Sequence, residues 1–317
     1  MIKKIILFLF IATFAFANES YEFIKDECAL PLLAPSLQKR KTAKLRLKNG
    51  LEVYLISDQK AEQSSVALGV RVGAWQDLKE YPGTAHFLEH MLFMGSEKYL
   101  DEYAFVRFIK DHGGIHNAYT APDRTVYLFS IHHQAFDQAI DRLAQFFIAP
   151  LFNPSAVARE LYAVDQEYAK NIEDDGRRAY MISKELGNPN HPNRAFSTGN
   201  AQTLGQIPQD VLRKWYETNY NANLMTLAIY SSKPIDALIK LVTDTFTQIE
   251  NKKIQPAEID QPLSSNAQLG HFIYIEPVKK IQHLTMRWEL PASFVEDETK
   301  AADLLAYTIN QGQKIIF

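Results

Sequence analysis

The spacing of apolar residues along the chain changes between a period of two and a period of three to four. Apolar and polar residues alternate on both sides of Asn49-Gly50, a dipeptide typical of a tight turn between antiparallel strands. This pattern predicts a hairpin whose return strand covers 51–56, followed by a strand over 65–72. Two more strands are expected over 117–120 and 125–131.

Apolar residues at helical spacing predict amphipathic helices in other stretches. One helix is expected over 86–94 and ends near Gly95, and a second is expected to follow Asp101 as its N-cap. A third has its core positions at Phe136, Ile140, Leu143 and Phe147, and a fourth is expected to follow Ser155 as its N-cap.

The remainder of the chain begins with a Pro- and Asn-rich loop over 187–200. A helix, a strand and a helix are then predicted over 210–220, 224–230 and 235–249. Residues 250–269 are polar and contain two prolines, which indicates a linker. Beyond the linker we expect strands over 272–276 and 284–290 and a helix over 299–309.

Composition restricts the class of protein. A length of 317 residues with 46% hydrophobic residues is typical of a globular protein with two domains. The net charge of −3 gives no sign of a nucleic-acid surface, and the single cysteine, Cys28, excludes an internal disulfide. The basic residues within 39–48 alternate with apolar ones, so they are interpreted as a solvated strand face, with a binding patch as the alternative.

The first residues have the pattern of a signal peptide. Lys3 and Lys4 precede a short apolar run over 5–14, and Ala15-Phe16-Ala17 is a small-x-small cleavage site. We predict cleavage after Ala17 and an exported protein, periplasmic or secreted. No later stretch reaches transmembrane length, so no membrane association is expected after cleavage.

A candidate metal-binding motif lies in the first predicted helix. His86 and His90 are four residues apart, so a helix places both imidazoles on one face, and Glu89 projects toward the same side. Neutral imidazoles are good zinc ligands, and a carboxylate beside a metal-activated water can accept its proton. The order His-x-x-Glu-His is a known inverted zinc-protease signature, although a pattern with three defined positions also occurs by chance.

Two other histidine pairs compete as ligands. His112 and His116 are also four apart, but the two glycines between them interrupt a helix. His132 and His133 are adjacent and would point to opposite faces of a strand.

A third ligand is available on the helix that follows Ser155. Glu160 and Glu167 are seven residues apart, which places them on nearly the same helix face. The residues over 161–164 are largely apolar, which indicates a partly buried face, and two carboxylates on such a face strengthen the case for a cation partner of one of them. An ordinary surface position is the alternative for each.

Several stretches together resemble the pitrilysin/insulin-degrading-enzyme (insulinase) family of inverted-motif zinc metallopeptidases. The similar stretches are GTAHFLEHMLFMGS at 83–96, GGIHNAYT at 113–120, RELYAVDQE at 159–167, and parts of 187–200. The resemblance extends from about residue 40 to about residue 310 and covers the N-terminal portion of the family's length.

This resemblance implies a role for each matching residue. It makes His86, His90 and Glu167 the ligands of one Zn²⁺ per chain and Glu89 the catalytic base. It also makes Glu160 a supporting acidic residue of the catalytic site. Asn117 and Ala118 fall on an edge strand that pairs with the backbone of a peptide substrate. The implied mechanism is metal-assisted hydrolysis of a peptide bond.

The resemblance also implies the fold: an α+β domain in which a mixed, mostly antiparallel sheet has helices packed on one face. The expected division is a signal peptide over 1–17, a lead-in over 18–40, a catalytic domain over 41–250, a linker over 251–269, and the incomplete start of a second, related domain over 270–317.

The expected function is that of a zinc-dependent metalloendopeptidase acting on oligopeptides or small unfolded proteins. Long members of the family have four related domains that enclose the peptide, so we expect this chain to be weak or inactive alone. Its partners would be a peptide substrate and a chain corresponding to the C-terminal half, or a second copy of itself. A non-catalytic scaffold or assembly subunit of the same fold is the alternative.

Overall fold

The structure is a computed structural model that describes residues 20–25, 35, 37–295, 297 and 299–310. The predicted signal peptide and Cys28 lie outside these residues. The chain divides into two compact units. The first unit comprises Met1–Ile172 and Ala195–Glu258, and the second comprises Glu173–Arg194 and Ile259–Phe317.

A seven-stranded sheet forms the centre of the first unit. Its strands are β1 (Tyr21–Phe23), β2 (Lys41–Leu47), β3 (Glu52–Ser57), β4 (Gln63–Val70), β5 (Ile115–Thr120), β6 (Thr125–His132) and β7 (Met225–Ser231). Their order across the sheet is β1-β2-β3-β7-β4-β6-β5. Only β3 and β7 pair in parallel, whereas the other neighbours are antiparallel. The predicted α+β class with a mixed, mostly antiparallel sheet is confirmed.

The helices of the first unit are α1 (Thr84–Leu92), α2 (Ala104–Asp111), α3 (Phe136–Ile148), α4 (Pro154–Asn171), α6 (Ala201–Leu204), α7 (Gln209–Asn219) and α8 (Ile235–Phe246). The second unit contains α5 (Asp175–Glu185) and α9 (Ala301–Asn310). Within the described part of the chain, no helix combines the length and apolarity that a membrane span requires.

The core lies against one face of the sheet. Alternate residues of the central strands are buried, as in the series Tyr127, Phe129 and Ile131 of β6, while the residues between them are half-buried. This period-two burial is typical of a sheet covered by helices on one side. The four positions predicted as the core of α3, from Phe136 to Phe147, are all buried, as the helical spacing indicated.

Asn49 has a larger structural role than a turn residue. The hairpin forms as predicted, with Gly50 in the left-handed region at φ +86°. The Asn49 side chain is buried and its amide nitrogen donates to the carbonyls of Phe246 (2.9 Å) and Ile249 (3.0 Å). Its side-chain oxygen accepts from the Leu51 N–H. The hairpin is therefore attached to the end of α8.

Replacing Asn49 with alanine is expected to lower the free energy of unfolding by about 2 kcal/mol, because two buried carbonyls lose their donor. Urea unfolding followed by circular dichroism measures the change. Asn190→Ala serves as the control, since Asn190 is exposed. Equal unfolding midpoints for the two variants would show that the buried amide contributes nothing.

The N-caps predicted for α2 and α4 are wrong by two residues each. Tyr103 is the N-cap of α2, and Asp101 instead accepts a hydrogen bond from the Tyr103 N–H in the preceding turn. Asn153 is the N-cap of α4, with its side chain accepting from the Ser155 N–H at 3.2 Å. Proline at the first helical position, Pro154, favours this earlier start.

In the second unit, the strands predicted over 272–276 and 284–290 are wrong. Neither stretch forms a strand, and aromatic side chains within them are exposed, with Phe272 at 79% and Trp288 at 67%. An alternating sequence becomes a strand only when a neighbouring strand takes up its backbone hydrogen bonds. The described residues of this unit provide none. The final predicted helix does form, as α9.

Candidate metal centre and catalytic site

Helix α1 begins at a turn that only glycine adopts easily. Gly83, its N-cap, has φ +97°, in the left-handed region. The carboxylate of Asp77 accepts from the N–H groups of Gly83 and Ala85, both at 2.8 Å. An acidic group at this end also interacts favourably with the helix dipole. Asp77 therefore caps the helix although it precedes it by seven residues.

The burial of α1 orients its polar side chains. Phe87, Leu88 and Met91 are at most 1% exposed and pack in the core. Because these residues occupy the inward face, His86 and His90 lie on the part of the helix that contacts α4. Their side chains are 13% and 23% exposed, so both imidazoles are mostly shielded but reachable from solvent.

His86, His90 and Glu167 form one cluster, called here the ligand cluster. The Nε2 atoms of His86 and His90 lie 3.4 and 3.9 Å from Glu167 Oε2. The potential ligand atoms all lie within 4.8 Å of one another. Ligand atoms about 2.1 Å from a tetrahedral zinc ion would be about 3.4 Å apart, so the observed spacing fits that ion.

The hydrogen bonds of the two histidines determine which nitrogen is available to a metal. His86 Nδ1 lies 2.6 Å from the Thr198 carbonyl oxygen, which can only accept, so Nδ1 carries the proton. His90 Nδ1 faces Glu160 Oε2 at 3.4 Å in the same way. When the rings are neutral, their protons lie on Nδ1 and the Nε2 lone pairs are available to a metal; when His86 is protonated, its Nε2–H can donate to Glu167 instead. Such outer hydrogen bonds orient the ligating imidazoles of metal sites.

Opposing effects act on the pKa of His86. Burial of the ring lowers this pKa, while the hydrogen bond with Glu167 and the charge of Glu89 raise it. The net pKa lies above the ordinary value. The carboxylates of Glu167 and Glu89 therefore favour a positive charge at the cluster, whether a proton or a metal cation.

Glu160 links the ligand cluster to ionic contacts at the start of α4. Besides facing His90, its carboxylate lies 3.5 Å from Arg159 Nε. Arg159 also contacts Glu102 through an Nη2–Oε2 distance of 2.8 Å. Glu102 in turn accepts from Asn153, the N-cap of α4. These contacts hold the helix that carries both acidic residues.

Glu89 is buried beside the ligand cluster, at 7% exposure. The Thr120 hydroxyl donates to Glu89 Oε2 at 2.6 Å. Burial raises the pKa of Glu89, although the neighbouring histidines and the Thr120 hydrogen bond partly offset the shift. A carboxylate with a raised pKa is a stronger base, which suits a group that must take a proton from water.

The competing histidines do not join the ligand cluster. His112 Nδ1 bonds to the Phe108 carbonyl oxygen, and the His116 ring packs against the rings of Phe93 and Phe105. His133 Nδ1 is 3.3 Å from the Ser232 hydroxyl. Among the described residues, His86, His90 and Glu167 form the one group with the spacing of a metal site.

Asn117 and Ala118 lie on β5, at the edge of the sheet. Of the strands that the structure describes, β5 pairs with β6 alone. Asn117 is exposed and Ala118 is half-buried. The outer side of β5 leaves backbone N–H and C=O groups available to an added strand.

The sequence patterns did not identify Thr120, Thr198 or Asp77 as residues that support the site. Thr120 and Thr198 act from segments well separated from the residues they support, and a threonine in a strand or loop has no distinctive spacing. Asp77 is near its helix in the chain, but it lies outside the usual N-cap position, so no periodic signal identifies it either.

The close approach of Gly83 and Gly199 gives a testable consequence. A Cβ atom at position 83 would lie 2.6 Å from Gly199 N, next to the Thr198 carbonyl that orients His86. We expect Gly83→Ala to lower the free energy of unfolding by about 3 kcal/mol or more, from backbone strain plus this collision. It should also weaken metal binding, because Thr198 must move.

Gly113→Ala is the matched control, since Gly113 also has a positive φ (+66°) but nothing lies near its missing Cβ. Both variants place a side chain at a positive φ, but only Gly83→Ala adds the collision. Thermal unfolding and zinc titration of the two variants therefore distinguish the effect of backbone strain from the effect of the collision. Equal losses of stability and of metal affinity in the two variants would contradict the proposed steric contact.

The fold and the cluster together define a class of protein. Three potential metal ligands with a buried carboxylate beside them, on an α+β domain, form an arrangement that is typical of metallohydrolases. Residues 52–190 match the family described as Insulinase (Peptidase family M16), and residues 206–315 match the Peptidase M16 inactive domain. The chain belongs to this insulinase family of peptidases.

Individual relatives agree with this assignment. The A-factor-processing enzyme of Saccharomyces cerevisiae is 37% identical over 287 residues, covering 88% of this chain and 28% of the relative. Protease 3 of Escherichia coli K12 is 38% identical over 269 residues, covering 84% of this chain and 28% of the relative. The crystal structure of pitrilysin matches with a TM-score of 0.73 at 38% identity, over 78% of this chain and 27% of that chain. The chain therefore spans less than a third of the length of these relatives.

Proposed function

We propose that the first unit is a zinc-dependent metalloendopeptidase that hydrolyses peptide bonds in oligopeptides or small unfolded proteins. The convergence of His86, His90 and Glu167, with Glu89 on the same helix, is the observation that carries this proposal. The donor set supports zinc, because two imidazoles and one carboxylate leave a fourth position open, as in catalytic rather than structural zinc sites.

A zinc ion held by the ligand cluster would supply Lewis acidity toward water and the scissile carbonyl. Glu89 is the group that takes the proton of the attacking water and passes it to the leaving amine. Its burial supports this role, since the raised pKa strengthens the base. Glu160 holds the His90 ring through Nδ1 and so presents Nε2.

The edge strand β5 supports a mode of substrate binding. We propose that a peptide adds to the outer side of β5 next to Asn117 and Ala118, where its backbone is taken up by hydrogen bonds. Backbone pairing is independent of side-chain identity, which suits an enzyme that accepts many peptide sequences. The ligand cluster lies close to this strand because α1 packs against β5.

We further propose a second chain as a partner in substrate binding. The chain spans 28% of the length of two of its relatives, and the proposed partner is a chain corresponding to the remaining length of those relatives, or a second copy. The proposed division is a catalytic domain over 41–250, a linker over 251–269 and part of a related domain over 270–317. Weak hydrolysis by the chain alone is the expected result.

Export is proposed from the first 17 residues. The mature protein is expected to start at Asn18 and to be found in the periplasm or the medium. N-terminal sequencing of the protein from separate cell fractions determines both its first residue and its location. Retention of Met1 in a cytoplasmic fraction would refute export.

The deciding experiment measures bound zinc and hydrolysis of a quenched fluorescent peptide on the same preparation. One zinc per chain with chelator-sensitive cleavage is expected, and cleavage should increase when a chain for the remaining length is added. Zinc binding without cleavage under either condition would favour the scaffold alternative. No zinc binding in a folded protein would refute the proposed metal centre.

A further inference from the structure

A hydrogen bond to Glu89, the proposed catalytic base, comes from the edge strand. Thr120 is the last residue of β5, and its Oγ1 donates to Glu89 Oε2 at 2.6 Å. Thirty-one positions separate the two residues in the chain. A hydroxyl that donates to a buried carboxylate forms a strong, charge-assisted hydrogen bond.

Thr120 is itself held in place. It pairs with Thr125 at the end of the β5–β6 hairpin, where the Ala121 N–H donates to the Arg124 carbonyl at 2.7 Å. Thr125 is buried and donates to the Val72 carbonyl, which attaches the hairpin to the segment after β4. Because threonine is β-branched, few rotamers are open to it on this rigid backbone. Its hydroxyl therefore has a defined position.

We propose that Thr120 is a positioning residue that orients the Glu89 carboxylate for proton transfer. The hydroxyl holds Oε2, which leaves Oε1 as the oxygen that receives the proton of the attacking water. Glu89 is flexible in principle, with three side-chain torsions, so one external hydrogen bond selects its working conformation.

The position of Thr120 also couples the base to the substrate. Asn117 and Ala118, where a peptide is proposed to add, lie on the same short strand. The strand that sets the register of the peptide therefore also sets the position of the base. This inference rests on the proposed function, since it needs Glu89 to act as the base.

The test compares Thr120→Val, which keeps the shape but removes the hydroxyl, with Thr120→Ser, which keeps a hydroxyl. Thr226→Val is the matched control, an exposed threonine on β7. All proteins are loaded with zinc to the same content. For peptide cleavage we expect Thr120→Val to lower kcat about 10- to 100-fold with little change in KM, because the base is misplaced. Thr120→Ser should stay within about threefold of the unaltered protein.

A second readout does not depend on turnover. A peptide hydroxamate presents an oxygen-bound proton to the base, so its affinity, measured by calorimetry, reports the position of Glu89. Thr120→Val is expected to bind it about tenfold more weakly, and Thr120→Ser nearly as well as the unaltered protein. A crystal structure of Thr120→Val with zinc is expected to show the Glu89 carboxylate in a different rotamer.

The outcomes separate this inference from the proposed function. If Glu89→Gln leaves hydroxamate affinity and cleavage unchanged, the proposed role of Glu89 fails, and the role of Thr120 fails with it. If Glu89→Gln is impaired while Thr120→Val matches Thr226→Val, only the role of Thr120 is overturned. Equal defects in Thr120→Val and Thr120→Ser, with lowered unfolding midpoints, would indicate a structural role and overturn it too.

Discussion

Replacing Glu89 with glutamine is expected to reduce peptide hydrolysis by about 10²- to 10⁴-fold while one zinc remains bound. Glutamine has nearly the same shape and can still accept the Thr120 hydrogen bond at its side-chain oxygen. It cannot take up a proton at neutral pH, so the general base is lost. Because Glu89 is not a member of the ligand cluster, the metal affinity should change little.

The measurements are kcat with a quenched fluorescent peptide and zinc content by atomic spectroscopy. Glu97→Gln provides a control, because it removes one carboxylate charge from the segment just after α1. Full activity of Glu89→Gln at normal zinc content would rule out the assigned role. Loss of zinc together with activity would instead place Glu89 among the groups that hold the metal.

Replacing Glu167 with glutamine is expected to weaken zinc binding about 100-fold. Structural zinc sites gain about 10–16 kcal/mol from four ligands, so one ligand contributes roughly 3 kcal/mol, which corresponds to this factor. Glu167 also contacts both Nε2 atoms, and its loss removes the negative charge that raises the pKa of His86. Hydrolysis should fall in parallel with metal occupancy.

A zinc-dependent shift in the thermal unfolding midpoint measures the loss of zinc binding without a substrate. An ion that binds only the folded protein stabilises it according to its affinity and concentration. The unaltered protein should therefore melt at a higher temperature with zinc, and Glu167→Gln should show a smaller shift at the same concentration. Glu173→Gln is the control, an exposed acid just beyond α4. Equal shifts in both variants would exclude Glu167 as a ligand.

Local patterns were sufficient for the elements that carry the site. The spacing of His86 and His90 predicted one helix face, and the structure places both on α1 with their Nε2 atoms toward Glu167. The Asn49-Gly50 dipeptide predicted the hairpin. These predictions succeed because the helix repeat and the turn geometry follow from the backbone itself.

Patterns failed where an element depends on a partner. The stretches 272–276 and 284–290 have a strand-like sequence but no strand beside them in the described residues. The N-cap of α2 was misplaced because Asp101 accepts its backbone hydrogen bond in the turn before the helix, whereas Tyr103 begins the helix without a side-chain cap. The N-cap of α4 was misplaced because Asn153, two residues before Ser155, supplies the capping oxygen.

The sequence by itself determined the two histidines on one helix, the carboxylate between them and, through resemblance, the insulinase family. Only the tertiary structure decided that Glu167 reaches both imidazoles, that Thr198 and Glu160 orient them, and that Thr120 holds Glu89. The physical reason is that a helix period needs only neighbouring residues, whereas a site requires α1, α4 and β5 to be brought together by the burial of their apolar faces.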